Sequence, residues 1–143
     1  MKGEGAKAAA RPGVPGRQVC CSHSGEGLTP LRYLLFLPAR YDQEPSEWPL
    51  MVFLHGAGER GDDLNLVKKY GPPMIVEDTP EFPFVIVSPQ CPAGQTWEPA
   101  RLMALVDDVA ASYRSDRRRI ALTGTSLGGF GTWQTAFAYP ERF

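Results

Sequence analysis

The sequence predicts an α/β fold, a mainly parallel sheet with helices on both faces, three layers in all. Residues 49–54 (Pro-Leu-Met-Val-Phe-Leu) and 84–88 (Phe-Val-Ile-Val-Ser) are apolar runs of strand length. A run without polar alternation suits a strand covered on both faces. From Leu50 onward, strand-like and helix-like segments alternate, the pattern that crossover connections and a parallel sheet produce. The breaks at His55-Gly56, Ser88-Pro89 and Ser126 all fall at strand C-terminal ends, where such sheets hold their ligands.

Taken in order, residues 1–17 are rich in Gly, Ala, Lys, Arg and Pro and read as a disordered basic leader. Ala8-Ala9-Ala10 is too short for the apolar core of a secretory signal. The domain is therefore expected over residues 18–143. Residues 18–22 read as a first short strand, and Gly25 and Gly27 mark a turn. Residues 31–37 read as a second strand ended by Pro38, and residues 39–48 as an exposed connection. After the third strand, Asp62 or Asp63 is expected to cap a helix through Leu64, Val67 and Lys68, stopped by Gly71-Pro72-Pro73. Residues 74–77 add a turn, residues 84–88 form a strand, and residues 91–99 form a loop containing Trp97. Leu102, Leu105, Val106, Val109 and Tyr113 then recur on one helical face, with Asp107, Asp108, Ser112 and Arg114 toward water. Residues 115–118 read as a charged connection into a strand over 119–123, and Leu127, Phe130, Trp133 and Phe137 recur at helical spacing up to Pro140.

The 143 residues suffice for one domain with a core, and 43% hydrophobic and 22% charged residues are ordinary globular values. A formal net charge of −1 gives no electrostatic basis for nucleic acid or an anionic membrane as partner. No apolar run is long enough to cross a bilayer as a helix. Three cysteines, Cys20, Cys21 and Cys91, form no C-x-x-C pair, which favours a reducing, cytoplasmic setting. Together with His23 they match no zinc spacing, so neither metal nor cofactor is expected. Gly129-Phe130-Gly131 lacks the rest of a dinucleotide fingerprint.

The stretch Gly124-Thr125-Ser126-Leu127-Gly128 carries the chemistry. Strand, tight turn with serine at its apex, then helix is the context of a nucleophile elbow, in which glycines two residues either side avoid the neighbouring strand and helix. A serine hydroxyl needs a base to remove its proton, and a tetrahedral intermediate needs donors for its oxyanion. The N–H of Leu127 is one expected donor. The loop His55-Gly56-Ala57-Gly58 lets the backbone approach a substrate closely, and the N–H of Ala57 is the expected second.

The segment from Leu54 to Asp62 (Leu-His-Gly-Ala-Gly-Glu-Arg-Gly-Asp) and the Ser126 motif together resemble the α/β-hydrolase superfamily. The likeness is greatest to its esterase branch: phospholipase/carboxylesterases, dienelactone-hydrolase-like and feruloyl-esterase-like proteins, and predicted peptidases related to prolyl oligopeptidase. It spans residues 18–143. It implies a three-layer α/β-hydrolase sheet, here truncated after the elbow helix. It also implies a serine hydrolase acting on small-molecule carboxylic esters through an acyl-enzyme at Ser126. Ala57 and Leu127 would form the oxyanion hole, supported by His55, Gly56, Gly58, Gly124 and Gly128, with peptide bonds as the alternative substrate. The superfamily places its acid and its histidine after the elbow, whereas this chain stops at Phe143 and has two histidines, His23 and His55. His55 is expected to hold the oxyanion loop rather than act as base. Such domains usually run to about 200–250 residues, so an incomplete hydrolase is expected. A non-catalytic remnant that binds or assembles is the competing reading. Without a strand beyond residues 119–123, an apolar sheet edge and one flank of the last helix would be exposed, and self-association is expected there.

The remaining features have plainer readings. Asp107-Asp108 is expected on a solvated helix face, and Arg117-Arg118-Arg119 in a surface turn. Glu59, Arg60, Asp62 and Asp63 are expected to pair with one another and fix the oxyanion loop, with direct substrate contact as the alternative. Trp97 fits either a pocket wall or plain packing.

Overall fold

The computed structural model describes residues 11–25 and 27–143. Five strands, β1 (Gln18–His23), β2 (Leu31–Phe36), β3 (Trp48–Leu54), β4 (Val85–Pro89) and β5 (Ser115–Gly124), form one sheet in the order β1-β2-β4-β3-β5. The sheet is mixed: the parallel strands expected from Leu50 onward are present, and β1 and β2 add an antiparallel edge. β1 pairs antiparallel with β2, and β2 antiparallel with β4, while β3 is parallel to both β4 and β5. A short connection between β1 and β2 allows only a hairpin return, whereas the parallel strands are joined by helical crossovers.

The strand side chains alternate between two cores. Leu35, Leu50, Val52, Leu54, Val85 and Val87 face helix α2 (Pro99–Ser112), which buries Leu102, Leu105, Val106 and Val109 against them as its spacing predicts. On the other face Phe36 and Ile86 meet Val76 of helix α1 (Gly71–Asp78). Helices thus cover both faces, and the strand ends that carry the site are held by neighbours with almost no exposed surface.

Three local expectations are corrected. The segment after Asp63 is a 3-10 helix, Leu64–Lys69, capped by the Asp63 carboxylate, which accepts from the Asn65 N–H at 3.0 Å. Gly71-Pro72-Pro73 starts α1 instead of stopping a helix. Proline in a first turn forfeits no hydrogen bond, because those N–H groups lack intrahelical acceptors. Gly71, the first residue of α1, has φ +64° and supplies the break from the preceding 3-10 helix. Strand β5 begins at Ser115 rather than Arg119. Its arginines point outward at the sheet edge, where charge is tolerated, and Asp116 accepts from the Arg118 N–H and the Arg119 guanidinium.

Helix α3 spans Leu127–Ala138. Phe130, Trp133 and Phe137 are 71, 67 and 78% exposed, and the helix buries Gly128, Gly131 and Thr135 instead. A β-carbon at Gly131 would come within 2.7 Å of the Trp97 side chain. The helix lies so close to its neighbours that only its smallest residues fit between. The exposed flank follows the expectation from the sequence, and its aromatic content exceeds it.

Of the expected leader, residues 1–10 lie outside the described residues. Residues 11–17 run along the fold, with the Gly16 N–H donating to the Leu37 carbonyl at 2.7 Å. No helix among the described residues is long and apolar enough to cross a membrane.

Candidate active site

Three chain segments meet at the C-terminal ends of β3, β4 and β5. The first is the turn from β5 into α3. Ser126 sits there at φ 53°, ψ −116°, and no other non-glycine residue among those described has positive φ. A serine pays for that conformation in strain of order 1–3 kcal/mol, so its surroundings must impose it. They do so through two glycines. A β-carbon at Gly124 would lie 2.3 Å from the Gly128 carbonyl oxygen, and one at Gly128 would lie 1.8 Å from that of Leu54. The turn is tied down by the Thr125 N–H donating to Leu54 at 3.2 Å and the Gly128 N–H donating to Thr125 at 2.8 Å. Ser126 is exposed and holds the N-cap position, yet its hydroxyl makes no capping bond. The hydroxyl is therefore available to a ligand, next to first-turn amides that have no intrahelical acceptor.

The second segment is the loop after β3. His55 is 1% exposed, and its ring is held at both nitrogens. The Cys91 N–H donates to Nε2 at 2.9 Å, so Nδ1 carries the proton and donates to the Gly56 carbonyl at 2.6 Å. Trp97 donates its indole N–H to the His55 carbonyl at 3.2 Å, and its ring meets the imidazole edge-on at 4.9 Å. Burial pushes the His55 pKa below its ordinary 6.5. Both nitrogens of His55 are therefore occupied. The loop then turns outward, leaving Ala57 and Gly58 exposed beside Ser126.

The third segment, after β4, is a brace that the sequence reading missed. The Gln90 side-chain amide is buried and donates to the carbonyls of Glu59 at 2.9 Å and Asp63 at 2.8 Å. The Gly61 N–H donates to the Cys91 carbonyl at 3.0 Å. A side chain that reaches back about 30 positions leaves no local pattern in the sequence.

The expected pairing among Glu59, Arg60, Asp62 and Asp63 is corrected. Arg60 donates instead to the carbonyls of Ala57 at 3.1 Å and Gln95 at 2.9 Å. A guanidinium with five donors can satisfy several backbone oxygens at once, which no carboxylate could do. Glu59 is left 7% exposed with no ion pair or side-chain hydrogen bond among the described residues. Trp97 is packed rather than pocket-lining at this cleft, 5% exposed against Gly131 and His55. Asp107 and Asp108 lie on the α2 surface and meet Arg142 and Arg11.

The segments enclose a cleft of about 620 Å³, bordered by Phe53, Ala57, Glu59, Tyr70, Pro72 and Ser126. Gly56, Gly58 and Gly124 also border it, and Phe53, Tyr70 and Pro72 supply apolar surface. Ser126, Leu127, Ala57, His55 and the four motif glycines are brought together. His23 is not: it ends β1, at the sheet edge opposite β5. Cys20, Cys21 and Cys91 are free thiols, and no cluster suited to a metal ion occurs among the described residues.

This sheet, with helices on both faces and a strained serine between β5 and α3, is the α/β-hydrolase fold in the form that esterases take. Feruloyl esterase B of Neurospora crassa is 26% identical over 134 residues, covering 83% of this chain and 43% of its own length. A thermostable esterase superposes with a TM-score of 0.72 at 28% identity, over 88% of this chain and 39% of its own. S-formylglutathione hydrolase from Agrobacterium tumefaciens superposes with a TM-score of 0.64 at 20% identity, over 88% and 55%, a likeness of fold. The chain therefore spans less than half the length of the first two. No protein-family profile matches it.

Proposed function

We propose that this chain carries the nucleophile and oxyanion hole of a serine hydrolase of carboxylic esters. Ser126 Oγ attacks the ester carbonyl, its proton passes to a base, and the carbonyl oxygen becomes an oxyanion facing the N–H groups of Leu127 and Ala57. Collapse of that intermediate expels the alcohol and leaves an acyl-enzyme at Ser126, which water then hydrolyses. The observation that carries the reading is the Ser126 backbone, held at positive φ with an unbonded hydroxyl over the cleft. Neither histidine supplies the base: His55 is bonded at both nitrogens, and His23 stands at the far sheet edge. The site as described thus holds nucleophile and donors without the proton acceptor that full rates require. The relatives named as esterases support ester over peptide substrates.

A fluorophosphonate probe tests the assignment. Labelling of the folded chain that disappears in Ser126→Ala is expected; labelling that persists in that variant overturns it. A p-nitrophenyl ester compared with a p-nitroanilide separates esterase from peptidase.

One observation favours a second reading, a unit that assembles without catalysing. The flank of α3 exposes Phe130, Trp133 and Phe137 beside β5, which among the described residues pairs with β3 alone. A folded sample that the probe does not label, and that associates through this flank, supports it.

A further inference from the structure

We propose that Glu59 selects the substrate of this site, favouring esters whose alcohol portion carries a hydrogen-bond donor, either a hydroxyl or a protonated amine. The proposal rests on the reading of Ser126 as nucleophile.

Glu59 is 7% exposed and its carboxylate finds no donor among the described residues, while its oxygens keep contact with solvent at the cleft that Glu59 borders. Carboxylates removed from water are normally paired, because desolvation is costly. The nearby cations are engaged elsewhere. Arg60 serves the carbonyls of Ala57 and Gln95, Arg32 bonds the Asp62 carbonyl at 2.5 Å, and Lys68 pairs with Glu77 at 3.0 Å. The main chain of Glu59 is fixed beside the cleft, its carbonyl held by Gln90 and its N–H donating to Gly56 at 3.4 Å.

The carboxylate also stands where a substrate would lie. A β-carbon built on Gly56 would sit 3.4 Å from Glu59 Oε2 and 3.6 Å from Ser126 Cβ, so both side chains flank the same glycine. Phe53, Tyr70 and Pro72 border the cleft as well, and their surface suits the hydrocarbon of an acyl group. That leaves the carboxylate for the alcohol. A donor placed there replaces the water that an ester displaces from the carboxylate, and an ester without one leaves the anion desolvated and unpaired. A proton-accepting role for Glu59 toward Ser126 is not favoured, since no hydrogen bond joins the two.

Three esters of one acid test this: 2-hydroxyethyl, 2-(dimethylamino)ethyl and 2-methoxyethyl. The first two carry a donor near neutral pH and the third does not. We expect kcat/KM to favour each donor ester over the methoxyethyl ester by about tenfold, the effect of one charge-assisted hydrogen bond. Glu59→Gln, nearly isosteric, should lose the amine preference and keep part of the hydroxyl preference, while Glu59→Met should bring both ratios to about one. Asp62→Asn, an exposed carboxylate nearby, should keep both ratios. Unchanged ratios in Glu59→Met overturn the proposal, as does an equal fall for all three esters, which marks a scaffold or proton-transfer role. Where the wild type neither turns over nor is labelled by fluorophosphonate, the hydrolase reading has failed. The preference is then read from binding of the same esters by NMR titration, and equal binding of all three overturns the Glu59 role too.

Discussion

Helices α2 and α3 lie against the same side of the sheet, yet they cover it with different surfaces. α2 presents Leu102, Leu105, Val106 and Val109; α3 presents Gly128, Gly131 and Thr135 and turns its aromatics to solvent. α2 is seated by side-chain volume. α3 is seated by backbone proximity, because the turn that strains Ser126 brings its first residues onto the carbonyl of Leu54. A helix that serves an active-site turn gives up part of the usual hydrophobic seat in exchange for position.

The largest test of that contrast is Gly128→Ala. A β-carbon 1.8 Å from the Leu54 oxygen cannot be accommodated without moving α3. A loss of about 4 kcal/mol or more is expected in urea melts, with fluorophosphonate labelling lost alongside it. Leu105→Ala in α2 should cost about 3 kcal/mol, the usual result of emptying a buried leucine site. Labelling of the fraction that remains folded should persist, and its loss would mean that α2 also positions Ser126.

A smaller effect comes from His55. Its folded pKa is depressed, so the unfolded chain binds more protons at acid pH. Stability should be full above about 6.5 and decline as the pH falls below that value toward the depressed one. His55→Gln should flatten this slope, and an unaltered slope would assign the acid sensitivity to other groups.

The smallest expected effect on stability is at the outer flank of α3. Phe137→Ala should change it by no more than about 0.5 kcal/mol, because the side chain is 78% exposed and stacks only on Trp133 at 5.8 Å. The proposed self-association should respond instead: sedimentation velocity should show a concentration-dependent species that Trp133→Glu reduces. A monomer at all concentrations would sink the assembly reading.

Much of this was legible in the chain. Leu50 to Leu54 and Val85 to Val87 announce covered strands because nothing polar interrupts them, and the α2 stripe gives its buried face directly. The Ser126 turn is readable because steric demand writes glycine at fixed offsets. What escaped depends on partners distant in sequence. The orientation of α3 is set by how close Trp97 and Leu54 stand to Gly131 and Gly128, which spacing within the helix does not encode. The burial of Glu59 is hidden likewise, since charge reads as surface until Gln90 is seen closing the loop over it. The antiparallel edge was missed because alternation of strand and helix begins only after β2.

Cys91 holds the imidazole of His55 and the Gly61 amide through its main chain alone, and its thiol takes no part. Residue type at that position is therefore constrained by size and by a single covalent condition, possession of an amide hydrogen. Serine or alanine there should leave the ring's tautomer as it is. Proline, lacking the hydrogen, would take away the bond that fixes which nitrogen is protonated.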